Sequence, residues 1–168
     1  MDATSAEKAG QFISICNEHN LPIVSLADTP GFMVGVDSER EGAVRKMGSL
    51  FNAGANISVP LVAIFLRKGY GLGAMAMVGG SFYIPIFTAS WPTGEFGGMG
   101  LEGAVKLGYK KELEAVEDVN EREELFNKLV QKMYDAGKAL EAATQLEIDA
   151  VIDPADTRSI IIKALETG

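Results

Sequence analysis

Two hydrophobic rhythms alternate along this chain. In the first segment, Thr4-Ser5-Ala6-Glu7 matches a capping box, and Ala9, Phe12, Ile13 and Cys16 follow at helical spacing. Asn20 and Pro22 end that helix, and residues 23–27 then form a short apolar strand with only Ser25 as a polar interruption. A second helix is predicted over 38–56, with Ala43, Met47, Leu50, Phe51 and Gly54 on its buried face. Glycines at 42, 48 and 54 weaken it, so close packing against a neighbouring backbone is their expected purpose. The run 61–66 reads as a buried strand, followed by a glycine-rich turn over 67–73 and a short helix from Ala74.

Further along, 82–87 and 89–91 read as extended segments broken by Pro85, and 92–100 as loop. A short helix is predicted over 101–107. A long one follows over 120–143, with Phe126, Leu129, Val130, Met133, Gly137 and Leu140 on one face. Residues 149–152 are extended, and Pro154 introduces a last helix over 155–166. Helices alternating with short buried strands imply an α/β fold with a largely parallel sheet. Ligands of such folds gather at the C-terminal ends of the strands. Here that edge carries Asp28-Thr29-Pro30-Gly31-Phe32, the turn 67–73 and Pro92-Thr93-Gly94.

Composition narrows the chemistry. At 168 residues with 47% hydrophobic content, the chain fits one domain. Its 23 acidic against 15 basic residues give a formal charge of −8, which argues against a nucleic-acid surface. No apolar run reaches the roughly 20 residues of a membrane span. The N-terminus lacks the basic and apolar regions of a signal peptide. A single cysteine, Cys16, allows no internal disulfide and fits a reducing cytoplasm. One cysteine and one histidine make no ordinary zinc site, and His19 reads as a capping or surface residue and Cys16 as core rather than as a nucleophile–histidine pair. No Walker-type phosphate loop and no G-x-S-x-G elbow occur.

Asp28 and Glu95 are candidate acid–base groups, and both also fit turn or helix-start roles. Arg67 and Lys68 suit either structural pairing or an anionic ligand. Tyr70, Phe32 and Trp91 suit either packing or the wall of a pocket. What remains is a backbone site. Amides at 71–74, at the start of a helix, can hold an oxyanion without any catalytic side chain.

Five segments in order then carry a resemblance: Asp28-Thr29-Pro30-Gly31-Phe32, Arg67-Lys68-Gly69-Tyr70-Gly71-Leu72-Gly73, Trp91-Pro92-Thr93-Gly94-Glu95, Met99-Gly100-x-x-Gly103-Ala104-Val105 and Ile152-Asp153-Pro154-Ala155-Asp156-Thr157-Arg158. Together they resemble the carboxyltransferase (beta) subunit of biotin-dependent acyl-CoA carboxylases and of the related decarboxylases. The resemblance covers nearly all of this chain but only the C-terminal half of that subunit. It implies a crotonase-like ββα superhelix, truncated at its N-terminal edge, with residues 1–168 as a partial C-terminal carboxyltransferase domain.

It further implies that the amides of Leu72 and Gly73 form an oxyanion pair, with Gly71 beside them. The family usually has Gly-Ala there, so Leu72 would need a compatible backbone angle. Tyr70, Met75, Asp28, Pro30, Gly31, Phe32 and Trp91 would lie on the substrate side. The implied chemistry is carboxyl transfer between carboxybiotin and an acyl-CoA by way of an enolate. Biotin would arrive on a partner domain, with acyl-CoA as substrate. The implied partners are the N-terminal carboxyltransferase half, biotin carboxyl carrier protein and biotin carboxylase, in a homo-oligomer that is hexameric in the family. The implied location is the cytoplasm, or the mitochondrial matrix in a eukaryote. Alternatives are a sodium-pump-type decarboxylase subunit, a non-catalytic fragment keeping only assembly surfaces, and a stand-alone hydratase or isomerase.

Overall fold

The apolar run at 61–66 becomes the centre of the sheet. The computed structural model describes residues 1–168, and in it β2 (Leu61–Tyr70) buries every side chain from Leu61 to Phe65. Such a strand needs cover on both faces and neighbours on both edges. β1 (Ile23–Thr29) lies on one edge, and β3 (Phe87–Ser90) followed by β5 (Ala150–Val151) on the other. β4 (Glu95–Gly97) also pairs with β2, and every pairing is parallel. Parallel neighbours require crossovers, which the helices supply.

The helix α1 (Ala3–Glu18) precedes β1, while α2 (Val36–Arg40) and α3 (Ala43–Ala55) join β1 to β2. After β2, α4 (Gly71–Met77) leads toward β3. Between β4 and β5 come α5 (Leu101–Gly108), α6 (Lys110–Glu114), α7 (Val119–Ala136) and α8 (Ala139–Thr144). A single 3-10 turn, Pro154–Asp156, opens α9 (Thr157–Thr167). No helix is long and apolar enough to cross a membrane.

Side-chain parity along β2 sorts the core into layers. Leu61 joins Ile23 and the facing residues of α1 and α3, among them Ala6, Ile13, Cys16, Met47 and Leu50. Val62 and Ile64 point the other way, toward Ile160, Ile161, Ala164 and Leu165 of α9. Phe65 is the hub of a third cluster, with Phe82 and Phe96 at ring-centroid distances of 5.1 and 4.9 Å. Ser25, the polar interruption in β1, donates its hydroxyl to the Met77 carbonyl at 2.7 Å and so satisfies the end of α4.

Several expected boundaries move. The first helix begins at Ala3, because Asp2 accepts from the Ser5 amide at 2.7 Å and caps it in place of Thr4. Phe12 is exposed, not buried. The strand β1 does alternate: Val24 and Leu26 are exposed, but being apolar they hide the alternation from the sequence. The helix at 38–56 is two helices, parted at Gly42, whose φ of +70° breaks the run. The helix at 120–143 is also two: Lys138 is extended, the Gly137 carbonyl accepts from the Phe96 amide and the Ala139 amide donates to the Gly94 carbonyl, and Leu140 lies exposed beyond the break. Residues 82–86 form turns, so the strand there starts only at Phe87.

Of the three spaced glycines, only Gly54 packs as expected. A Cβ there would lie 2.7 Å from the Gly79 carbonyl oxygen, whereas Gly42 and Gly48 face open space. Gly54→Ala should therefore destabilise the protein by about 1–3 kcal/mol, read as a lowered urea midpoint. An unchanged midpoint would show that α3 and the turn after α4 separate freely.

Candidate active site

The sheet is irregular at one place, and three of the sequence segments meet there. Ala27 pairs with Phe65 and Thr29 with Gly69, so a single β1 residue, Asp28, faces Leu66, Arg67 and Lys68 on β2. This is a bulge with two surplus residues, and it interrupts the backbone ladder. Side chains take over the lost pairings. The Lys68 amide donates to the Asp28 carboxylate at 3.0 Å, and the Arg67 guanidinium donates to it at 3.2 and 3.4 Å. On the opposite side, Thr93 donates its hydroxyl to the Leu66 carbonyl at 2.6 Å. The Trp91 amide and Ser90 hydroxyl both reach the Phe65 carbonyl, at 2.9 and 3.2 Å.

Past the bulge β2 changes neighbour. Lys68, Gly69 and Tyr70 pair with Glu95, Phe96 and Gly97. The expected turn at 67–73 is therefore strand through Tyr70, and α4 starts at once with Gly71. Gly71 absorbs the change of direction at φ +59°, where a Cβ would lie 2.8 Å from the Gly98 carbonyl oxygen. Leu72 needs no unusual angle, since Asn20 and Leu146 are the only non-glycine residues with positive φ. The amides of Leu72 and Gly73 stand in the first turn of α4, which offers them no acceptor within the helix. Gly73 rests on the Asp28–Phe32 segment: its Cβ would lie 2.8 Å from the Gly31 backbone and 3.0 Å from the Phe32 amide.

Strand parity then separates two cavities. Gly69 and Phe96 face a cavity of about 560 Å³, lined also by Gly71, Leu72, Met75 and Phe82 and rimmed by Gly137 and Glu147. Lys68, Tyr70 and Glu95 face a second of about 450 Å³, with Pro30, Glu102 and Tyr134. Burial, reinforced by the negative charge of Glu95, pushes the Tyr70 phenol well above its ordinary range and keeps it protonated.

Among the residues singled out from sequence, Gly71, Leu72 and Met75 share the first cavity. Tyr70 and Pro30 line the second, and Gly31 abuts Gly73. Phe32 instead packs on Phe51 at 6.3 Å, against the α1–α3 layer. Trp91 turns its indole N–H to Thr157 at 2.9 Å and packs among the α9 residues, outside both cavities. Phe82, Phe96, Gly137 and Glu147 were not foreseen; they reach the site through long-range packing and carry no motif.

Asp28 spends its oxygens on Arg67 and Lys68. Partial burial disfavours its ionised form, but the Lys68 amide and the Arg67 hydrogen bond and charge outweigh that and hold its pKa below the usual carboxylate range. A depressed folded-state pKa contributes stability above about pH 4, the unfolded value, and that stability is lost as pH falls through the folded pKa. The difference in Tm between the wild type and Asp28→Asn should therefore be present at pH 6 and shrink toward pH 3. A difference independent of pH would show that the charge of Asp28 is not what matters.

A family model described as "Carboxyl transferase domain" matches residues 1–167. The chain belongs to the carboxyl transferase domain family. The domain is 34% identical over 166 residues to the methylmalonyl-CoA carboxyltransferase 12S subunit of Propionibacterium freudenreichii subsp. shermanii, covering 99% of this chain and 31% of that protein. It is 36% identical to the carboxyltransferase subunit of propionyl-CoA carboxylase from Haloferax mediterranei, covering 98% and 31%. The carboxyl transferase domain thus spans about a third of the length of these curated relatives.

Solved structures agree. A single-chain, multi-domain long-chain acyl-CoA carboxylase is 56% identical with a TM-score of 0.86, over 98% of this chain and 16% of that one. The transcarboxylase 12S structure, described as a hexamer assembly with methylmalonyl-coenzyme A bound, is 33% identical with a TM-score of 0.89, over 99% and 32%. The α/β fold with its parallel sheet is therefore that of the transcarboxylase 12S domain.

Proposed function

We propose that this carboxyl transferase domain is the C-terminal, crotonase-like portion of an enzyme that moves a carboxyl group between biotin and an acyl-CoA. The observation that carries the reading is the pair of Leu72 and Gly73 amides at the start of α4, where Leu72 lines a cavity of about 560 Å³. Biotin, carried on a partner domain, would supply the activated carboxyl group. The cavity suits a flat, weakly polar group: Phe82, Phe96 and Met75 offer apolar walls, and Ser81, Gln145 and Glu147 add polar groups.

Removing the α-proton of an acyl-CoA places negative charge on an oxygen. Fixed amides stabilise such charge without reorganising. The domain's own contribution is position and dipoles. Its partner would be the remainder of the subunit. β1 lies at the edge of the sheet and exposes Val24 and Leu26 beside Phe12 and Leu21, a surface that a further polypeptide can cover. A cytoplasmic or mitochondrial-matrix setting is part of the same proposal.

The test is reconstitution. The chain is combined with an N-terminal carboxyltransferase half, a biotinylated carrier, biotin carboxylase, ATP and bicarbonate, and carboxylation of propionyl-CoA and longer acyl-CoAs is followed. Turnover by the assembly and none by the chain alone is expected. Running the assay from a malonyl-type CoA reads the opposite direction. No turnover either way, in an assembly shown to be intact, would remove the enzymatic reading.

A further inference from the structure

We propose that Asp28 and Thr93 form a bracket on the β2 bulge that positions the first turn of α4. They would act as positioning residues for the Leu72 and Gly73 amides. The consequence for turnover rests on the carboxyl-transfer reading above, but the geometry does not.

The surplus residues are where the bracket is needed. A regular strand is held by its ladder; here Leu66, Arg67 and Lys68 face only Asp28 on the β1 side, and on the other side only Lys68 is paired, with Glu95 of β4. Asp28 takes the donor side by accepting from the Lys68 amide, and Thr93 takes the acceptor side by donating to the Leu66 carbonyl. They come from opposite neighbours of β2: the end of β1 and the loop between β3 and β4. Arg67 is well exposed, so its ion pair with Asp28 adds little fixity, and the amide contact is the part that sets the backbone.

What lies beyond the bracket is short and paired. Lys68, Gly69 and Tyr70 are tied to β4, and Gly71 follows directly. On the other arm, Gly31 lies a few residues beyond Asp28, and its backbone abuts Gly73. The two arms therefore close a ring: the Asp28–Lys68 hydrogen bond joins them at one end, and the Gly31–Gly73 contact joins them at the other. A shift at the first junction must be passed to the second, because neither arm has slack. Neither Asp28 nor Thr93 lines the cavity beside α4, so both act through the backbone.

Hydrogen exchange on the 168-residue chain tests this. Asp28→Ala and Thr93→Val remove one contact each; Asp28→Asn keeps an acceptor for the Lys68 amide, and Thr93→Ser keeps the hydroxyl. Exchange of the amides at 68–70, which are paired with Asp28 or β4, should rise by about tenfold or more in the Ala and Val variants, while α1 and α3 stay within about twofold. The Asn and Ser variants should restore most of the protection.

In the reconstituted carboxyltransferase, the same Ala and Val changes should lower kcat by about tenfold or more, with KM for acyl-CoA nearly unchanged. Unchanged exchange at 68–70, a uniform rise that includes α1 and α3, or a raised KM with unchanged kcat would each overturn the bracket. Local, rescuable exchange alongside an intact wild-type assembly that does not turn over would support the bracket and remove the carboxyl-transfer reading instead.

Discussion

Gly71→Ala is expected to lower carboxyl transfer by about a hundredfold or more in the reconstituted enzyme, the effect of losing one well-placed oxyanion donor. Two costs fall on the same atom. At φ +59° an alanine sits in the left-handed region, which costs roughly 1–2 kcal/mol for a residue with a Cβ. The new Cβ would also lie 2.8 Å from the Gly98 carbonyl, which belongs to backbone and cannot turn aside. Either β4 and its following loop retreat, or α4 starts at a different angle. Both outcomes displace the amides of Leu72 and Gly73, and oxyanion geometry tolerates only a few tenths of an ångström.

Gly48→Ala is the matched control. It lies in α3, where an added Cβ would meet no atom within 4 Å, so it should leave transfer unchanged and raise stability by roughly 0.5–1 kcal/mol. Wild-type turnover from Gly71→Ala would mean that the start of α4 takes no part in the reaction.

Phe65→Ala should cost the most stability of any single change, about 3–5 kcal/mol. Phe65 is fully buried in the central strand, and its ring meets both Phe82 and Phe96. Alanine would leave a void that these rings can fill only by moving. Domains of this size are stable by about 5–15 kcal/mol, so the variant should lose roughly a fifth or more of its margin. Because Phe82 and Phe96 also wall the cavity beside α4, ligand affinity should fall under conditions where the variant is still folded. Urea unfolding followed by tryptophan fluorescence checks the first point, Trp91 being the single tryptophan. A loss below about 1 kcal/mol would show that the three-ring cluster contributes little.

Local signals in the chain determined the strands at 23–27 and 61–66, the short helix after Gly100 and the terminal helix after Pro154, because each rests on periodicity and on proline or glycine placement. They also singled out the three segments at the sheet's C-terminal edge and the amides at the start of α4. Through five ordered motifs they pointed to the carboxyltransferase family, which the family match then established.

Only the tertiary structure decided how those segments meet. Nothing local to 66–68 reveals a bulge, since a bulge is a mismatch between two strands and has no existence in one of them. For the same reason Asp28 could be read as an acid, a turn residue or a ligand until Lys68 and Arg67 were found on its oxygens. Trp91 and Phe32 looked equally able to wall a pocket; in the fold Trp91 packs among the α9 residues and Phe32 on Phe51, outside the two cavities. The break at Gly42 is a backbone angle, and the one after Gly137 comes with hydrogen bonds to Gly94 and Phe96, about forty residues away in sequence. Periodicity records which face of an element is apolar; which surface that face meets is set by the whole chain at once.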